Sequence, residues 1–293
     1  MAPGMKAGKV EGRGLTFHTL EEGVGPLALC LHGFPDTAHS FSALLSALAA
    51  RGYRAVAPFM RGYAPTSPAP DGCYHGAALG LDAVALIEAL GHDDAVVIGH
   101  DWGALAAYAA ALAAPERVRR IVTLALPYGP QFLTALGTDY DQQRRSWYMF
   151  FFQTPFADGA VAHDDFAFIE RLWRDWSPGW TLRPDQNAAV KECFRKPGVV
   201  EAALAYYRAA FGLPPEDPGL ADIQARLMMA PIDVPGLYLH GISDGCVGTG
   251  LVEGMAGFFP RGLQVKLVEG AGHFLHLERP DLVHPAIVEF LVS

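Results

Sequence analysis

Val97-Ile98-Gly99-His100-Asp101-Trp102-Gly103-Ala104 (VIGHDWGA) decides how this chain reads. A short apolar run, Asp94 to Gly99 (DAVVIG), ends here, and a very Ala-rich segment, Ala104 to Ala114, follows. The pattern is a buried strand turning sharply into a helix, with the Asp101 side chain presented at the bend. Gly99 and Gly103 flank Asp101, as a strained turn packed against neighbouring backbone requires. Asp is also a good helix N-cap, so Asp101 taken alone has a plain structural explanation. The rest of the chain has to decide between the two.

Outward from this turn, strand-like and helix-like segments alternate. Pro26 to Leu31 (PLALCL), Tyr53 to Phe59 (YRAVAPF) and Arg120 to Leu126 (RIVTLAL) read as strands. Phe41 to Ala50 and His75 to Leu90 read as helices stopped by Gly52 and Gly91. From Tyr128 to Arg226 no comparable strand occurs. That stretch is helical in pattern and holds four of the five tryptophans: Trp147, Trp173, Trp176 and Trp180. The alternation resumes with a strand over Val234 to His240, a helix near Gly250 to Phe258, a strand over Leu263 to Val268 and a helix over Asp281 to Leu291. The expectation is an α/β fold: a mostly parallel sheet with helices on both faces. Residues 1–127 and 227–293 form the core domain, and residues 128–226 an inserted helical cap.

Composition narrows the partners. A hydrophobic content of 51% over 293 residues supports a sizeable core. The net charge of −9 argues against nucleic acid or an anionic membrane as partner. The opening MAPGMKAGKVEGRG has no apolar signal-like core, and no apolar run reaches membrane-spanning length. Cys30, Cys73, Cys193 and Cys246 form no C-x-x-C pair and read as free thiols. A cytoplasmic protein is expected, and a homodimer is left open. No metal or organic cofactor is implied, because neither H-E-x-x-H nor G-x-G-x-x-G occurs.

Reactive groups in such sheets gather beyond the carboxyl ends of the strands. Gly241-Ile242-Ser243-Asp244-Gly245 matches G-x-S-x-G, but CVGTG follows it, which opens no helix. Ser243 is therefore read as incidental and Asp244 as the useful residue. Asp101, Asp244 and His273 then run in the order nucleophile, acid, histidine, each just after a predicted strand. His273 sits in a Gly-rich loop, Glu269-Gly270-Ala271-Gly272-His273-Phe274. His276 is its competitor. An ordinary surface histidine and a turn aspartate are the plain alternatives for His273 and Asp244.

Over nearly its whole length the sequence resembles the α/β-hydrolase superfamily, and within it the epoxide hydrolases. HGFPD (His32 to Asp36), RGYAPTS (Arg61 to Ser67), GHDWGA (Gly99 to Ala104) and GAGHFLHLERP (Gly270 to Pro280) carry the resemblance. It departs at Ala64, where the family commonly has glycine, and at Met60, where it has aspartate. Two cap tyrosines above the nucleophile are what the resemblance implies. In WYMFFFQTP they fall on Tyr148, with Phe152, Gln153 and Pro155 completing the spacing; in AYYRAAF they fall on Tyr207 beside Arg208, with Tyr206 as alternate. It also implies an oxyanion hole from the Phe34 and Trp102 N–H groups, a cis bond before Pro35, and a pocket including His32, Pro35, Trp147 and Phe152.

A carboxylate at the bend suits this chemistry. With an unperturbed pKa of about 3.9, aspartate is ionised at neutral pH and can attack saturated carbon without a base. Neutral His273, oriented by Asp244, would then activate water against the resulting ester. The expected substrate is a small apolar epoxide. GHDWG is shared with haloalkane dehalogenases, which stabilise halide with tryptophan N–H groups, so Trp102 with Trp147 or a neighbouring cap tryptophan keeps that reading. Fluoroacetate dehalogenation fits less well, because Trp102 follows Asp101 where an arginine would be needed. A binding or sensing homologue without turnover is the third reading.

Overall fold

The computed structural model describes residues 4–183 and 185–292. Eight strands form one sheet: β1 (Lys6–Gly12), β2 (Leu15–Glu22), β3 (Leu27–Leu31), β4 (Arg54–Pro58), β5 (Ala95–His100), β6 (Val118–Leu124), β7 (Gly236–Gly241) and β8 (Leu263–Val268). Their order is β1-β2-β4-β3-β5-β6-β7-β8. The β1–β2 and β2–β4 pairs are antiparallel, and every later pair is parallel. β3 and β5 run side by side at the centre, which is why LALCL and AVVIGH are buried throughout.

Alternation along the strands splits the core into two layers. Leu27, Leu29, Leu31 and Val97 face one layer, with α2 (Gly76–Ala89) and α3 (Trp102–Ala113). Ala28, Cys30, Val96 and Ile98 face the other, with α1 (Ser42–Ala49) and the C-terminal helix Pro280–Val292. Each fully buried Val, Leu or Ile contributes about 1.5–3 kcal/mol, so the central strands anchor the turn that follows β5. Between β6 and β7 the described residues form helices and no strand, including Trp147–Phe151, Ala157–Trp176 and Val199–Phe211. Ala157–Trp176 is broken at His163–Phe166, where Asp164, Asp165 and Phe166 take positive φ.

Two expectations need correction. The helix near Gly250 to Phe258 is two separate turns, Thr249–Val252 and Met255–Phe258, because Gly254 between them has φ +80°. The hairpin of β1 and β2 was not anticipated. Its tight turn at Arg13 and Gly14, with φ 47° and 74°, pairs Gly12 with Leu15. β1 buries little, so its sequence lacks the alternation that marks a strand.

Candidate active site

Asp101 caps α3 directly after β5 with φ 54° and ψ −117°, a conformation that costs a non-glycine residue strain. The bend is held because the Asp101 N–H donates to the Leu124 carbonyl and its own carbonyl accepts from the Ala104 and Leu105 N–H groups. Only glycine fits at position 103: a Cβ there would lie 1.9 Å from the Leu31 oxygen. The turn thrusts the carboxylate toward the loop after β3, where the Phe34 N–H donates to Asp101 Oδ1 at 2.8 Å. Burial raises the pKa of this carboxyl, while His273 and the Phe34 and Trp102 N–H groups oppose the rise.

Asp244 follows β7. Its Oδ1 accepts from the Cys246 and Val247 N–H groups at 2.7 and 2.9 Å, and its Oδ2 lies 2.9 Å from His273 Nδ1. Burial works against charge at Asp244, but the adjoining imidazolium and the Val247 N–H hold its pKa below the ordinary carboxylate range. Burial likewise opposes a charged His273, yet Asp244 outweighs it and raises the imidazole pKa well above the usual value. His273 Nε2 has no hydrogen-bond partner among the described residues and stands 3.8 Å from Asp101 Oδ2. The loop is locked from both sides: the His273 N–H donates to the Trp176 carbonyl, and His100 Nε2 donates to the His273 carbonyl at 2.9 Å.

A cavity of about 190 Å³ opens on Asp101. Leu105, Leu126, Phe132, Met149 and Met228 supply its apolar wall; Trp102, Tyr148, Tyr207, Gln224 and Cys246 supply polar atoms. The Tyr148 and Tyr207 ring centres are 5.6 Å apart. Tyr148 Oη is 3.2 Å from Cys246 Sγ, whereas Tyr207 Oη and Trp102 Nε1 are buried without a partner among the described residues. Burial keeps both phenols protonated, far above the ordinary tyrosine pKa. The arrangement offers a carboxylate, an imidazole paired to a second carboxylate, and proton-donating hydroxyls, all around one apolar space.

The structure separates Tyr207 from Tyr206, whose hydroxyl donates to the Arg61 carbonyl at 2.8 Å. Ser243 is exposed, and His276 stacks on Phe41 instead of reaching Asp244. The Phe34–Pro35 peptide is cis. Four expected pocket residues do not line the cavity. Trp147 is 44% exposed and packs on Phe151 and Phe168. His32 turns inward, where its Nε2 accepts from the Met60 N–H at 3.1 Å and burial lowers its pKa to about 4. The Pro35 carbonyl accepts from Trp173 Nε1, and Phe152 packs behind Phe34, Tyr148 and Tyr207. Cys246 and the two methionines of the wall escaped sequence reading, since a lone Cys or Met gives no periodic or motif signal. Asp244, Cys246 and His273 lie close together, but the free His273 Nε2 points away from Asp244, so the three do not converge on one cation.

Residues 26–280 match the family model for the alpha/beta hydrolase fold. The chain is 31% identical to epoxide hydrolase 3 of Siraitia grosvenorii, covering 95% of each chain. It is 30% identical to an epoxide hydrolase of Caballeronia sordidicola, covering 98% of this chain and 94% of the relative. Among solved structures it is similar to the epoxide hydrolase of Bacillus megaterium, crystallised with an inhibitor. That likeness has a TM-score of 0.83 at 25% identity and covers 98% of this chain and 100% of the other.

Proposed function

Since the chain belongs to the α/β-hydrolase family, among its epoxide hydrolases, and is therefore a hydrolase, we propose that it converts a small apolar epoxide to a vicinal diol through an ester on Asp101. The observation that carries this is one cavity holding the Asp101 carboxylate opposite two protonated tyrosines. Residues 128–226 act as the cap that brings Tyr148 and Tyr207 over the core.

Asp101 Oδ1 is held by the Phe34 N–H, which leaves Oδ2 as the attacking oxygen. The Oδ2–carbon bond forms as the carbon–oxygen bond of the ring breaks, and a tyrosine hydroxyl passes its proton to the released oxygen. The ester carbonyl is then Oδ1, so the Phe34 N–H is already in contact with the atom that will carry charge, and the Trp102 N–H, next along the turn, is the second donor of the oxyanion hole. Esterification also removes a negative charge 3.8 Å from His273, which shifts the imidazole toward the neutral base. His273 takes a proton from water and hydroxide adds to the Asp101 carbonyl carbon. The departing diol oxygen is protonated by His273, and the acid left on Asp101 returns its proton to the tyrosinate.

Haloalkane dehalogenation is the second reading, favoured by the unpartnered Trp102 Nε1. A halide site would need a second such donor, and neither Trp147 nor the other cap tryptophans, Trp173, Trp176 and Trp180, line the cavity. Intact-protein mass spectrometry of His273→Ala, exposed separately to epoxides and haloalkanes, tests the pair. A gain equal to the whole epoxide, mapped to the Asp101 peptide, is expected. A gain equal to the alkyl group without halide, and no epoxide adduct, would instead make the enzyme a dehalogenase.

A further inference from the structure

We propose that the cavity favours an elongated epoxide whose far arm ends in a hydrogen-bond acceptor, such as a ketone or ester oxygen, and that Gln224 is the residue that selects it. The selection rests on the reaction proposed above. Apart from the groups around the reacting atoms (Asp101, Trp102, Tyr148, Tyr207 and Cys246), Gln224 supplies the only polar side chain of the cavity lining. A single polar group on an otherwise apolar wall fixes the orientation of a ligand and discriminates between ligands.

The amide is already oriented. Gln224 lies in helix Pro218–Arg226, and its Oε1 accepts from the Ala77 N–H at 3.1 Å. That N–H belongs to the first turn of α2, where His75 provides no side-chain cap. A backbone N–H only donates, so the amide oxygen faces α2 and the amide nitrogen faces elsewhere. Nε2 makes no hydrogen bond among the described residues, which leaves its two N–H donors for a ligand in the cavity that Gln224 lines. The position is remote from the chemistry. Gly76, beside Ala77, abuts Leu105: a Cβ on Gly76 would lie 2.9 Å from Leu105 Cδ2. Leu105 stands one turn of α3 beyond Asp101, about 6 Å along the axis. A substrate attacked by Asp101 therefore presents the end of its arm, not its epoxide ring, to Gln224. Met228, four residues on, takes φ 69°, a strained conformation for a non-glycine residue, where it and Leu227 join the same wall.

Para-acetylbenzyl oxirane and para-isopropylbenzyl oxirane test this. They have nearly the same shape, and a methylene insulates the epoxide from the ring, so they differ chiefly in the acceptor. Their kcat/KM values are compared in wild type and in Gln224→Glu. Glutamate keeps an acceptor for the Ala77 N–H but has no N–H to donate. The expected result is a wild-type preference of about 3–10-fold for the acetyl epoxide, carried by KM, and a ratio of about one or below in Gln224→Glu. Loss of the α2 contact alone would lower the melting temperature without changing the ratio. A wild-type ratio near one, or a preference that survives in Gln224→Glu, overturns the selection. If neither epoxide is consumed, binding of the two corresponding diols, followed by tryptophan fluorescence, decides. Tighter binding of the acetyl diol that is lost in Gln224→Glu supports the Gln224 contact and counts against the reaction; equal binding of the two diols overturns the contact as well.

Discussion

His273 Nε2 faces Asp101 Oδ2 across 3.8 Å without a hydrogen bond. The two groups feel each other electrostatically, yet neither ties up the other's reactive lone pair. Asp101 can therefore act first and His273 second. Asp101→Asn keeps the shape and the Phe34 contact but removes the nucleophile. Turnover is expected to fall by about 10⁴-fold or more, with the melting temperature little changed. Steady-state rates on an aryl epoxide check this, with intact mass confirming that the amide has not reverted. Full activity in a verified variant would sink the nucleophile assignment.

Tyr148 and Tyr207 share the cavity but differ in what they touch. Tyr148 already contacts Cys246, whereas Tyr207 Oη has no partner among the described residues. Single-turnover quench-flow should show Tyr148→Phe and Tyr207→Phe each slowing ester formation roughly tenfold or more, and the double variant by about 10²–10⁴-fold. Ester hydrolysis should change little, because it needs His273 and the N–H donors instead. Equal slowing of both steps would count against the proton-donor role.

The parts legible in the sequence were those written in local pattern. Strand β5, the bend at Asp101 and helix α3 are consecutive, so periodicity and two glycines suffice to place them. Asp244 and His273 follow strands by the same logic. Tyr148 and Tyr207 needed the family resemblance, because a buried tyrosine reads as packing until something faces its hydroxyl. Trp147, His32, Pro35 and Phe152 went astray for a related reason: a motif fixes where a residue sits along the chain, not which way its side chain turns. His32 spends its ring on the Met60 N–H, and Trp147 on Phe151 and Phe168. The β1–β2 hairpin was missed because Lys6–Gly12 is mostly exposed. Leu15 and Phe17, both buried in β2, were the alternation that could have revealed it.

Gly33 shows how closely the core is built around the carboxylate. A Cβ at this position would stand 2.3 Å from Asp101 Oδ1 and 2.5 Å from Asp101 Cβ. Gly33→Ala must therefore displace the Asp101 side chain and break its contact with the Phe34 N–H. Activity is expected to drop about 100-fold or more, on the scale of losing an oxyanion donor. The backbone at Gly33 does not need a positive φ, so the fold should survive. Wild-type rates with an intact circular dichroism spectrum would show that the carboxylate is not held where this geometry requires.

Asp36 gives the clearest dependence on pH. It is buried, its Oδ1 accepts from the Thr37 N–H at 2.7 Å, and its Oδ2 has no hydrogen-bond partner among the described residues. Burial pushes its pKa up to about 7; the Asp101 charge adds to the rise, and His273 opposes it. His276 Nε2 lies 3.9 Å away, but burial lowers that imidazole to about 3, and His100 is also held neutral, so neither supplies a counter-charge. The folded chain thus keeps a proton on Asp36 that the unfolded chain loses above about pH 3.9. Stability should fall as pH rises from about 4 to about 7 and then level off, by at most about 4 kcal/mol from this group. Asp36→Asn retains the acceptor for Thr37 and cannot ionise. Its denaturation midpoint should therefore gain on wild type steadily across that window and stay ahead above it. Parallel profiles for the two proteins would mean that Asp36 ionises alike in the folded and unfolded chains.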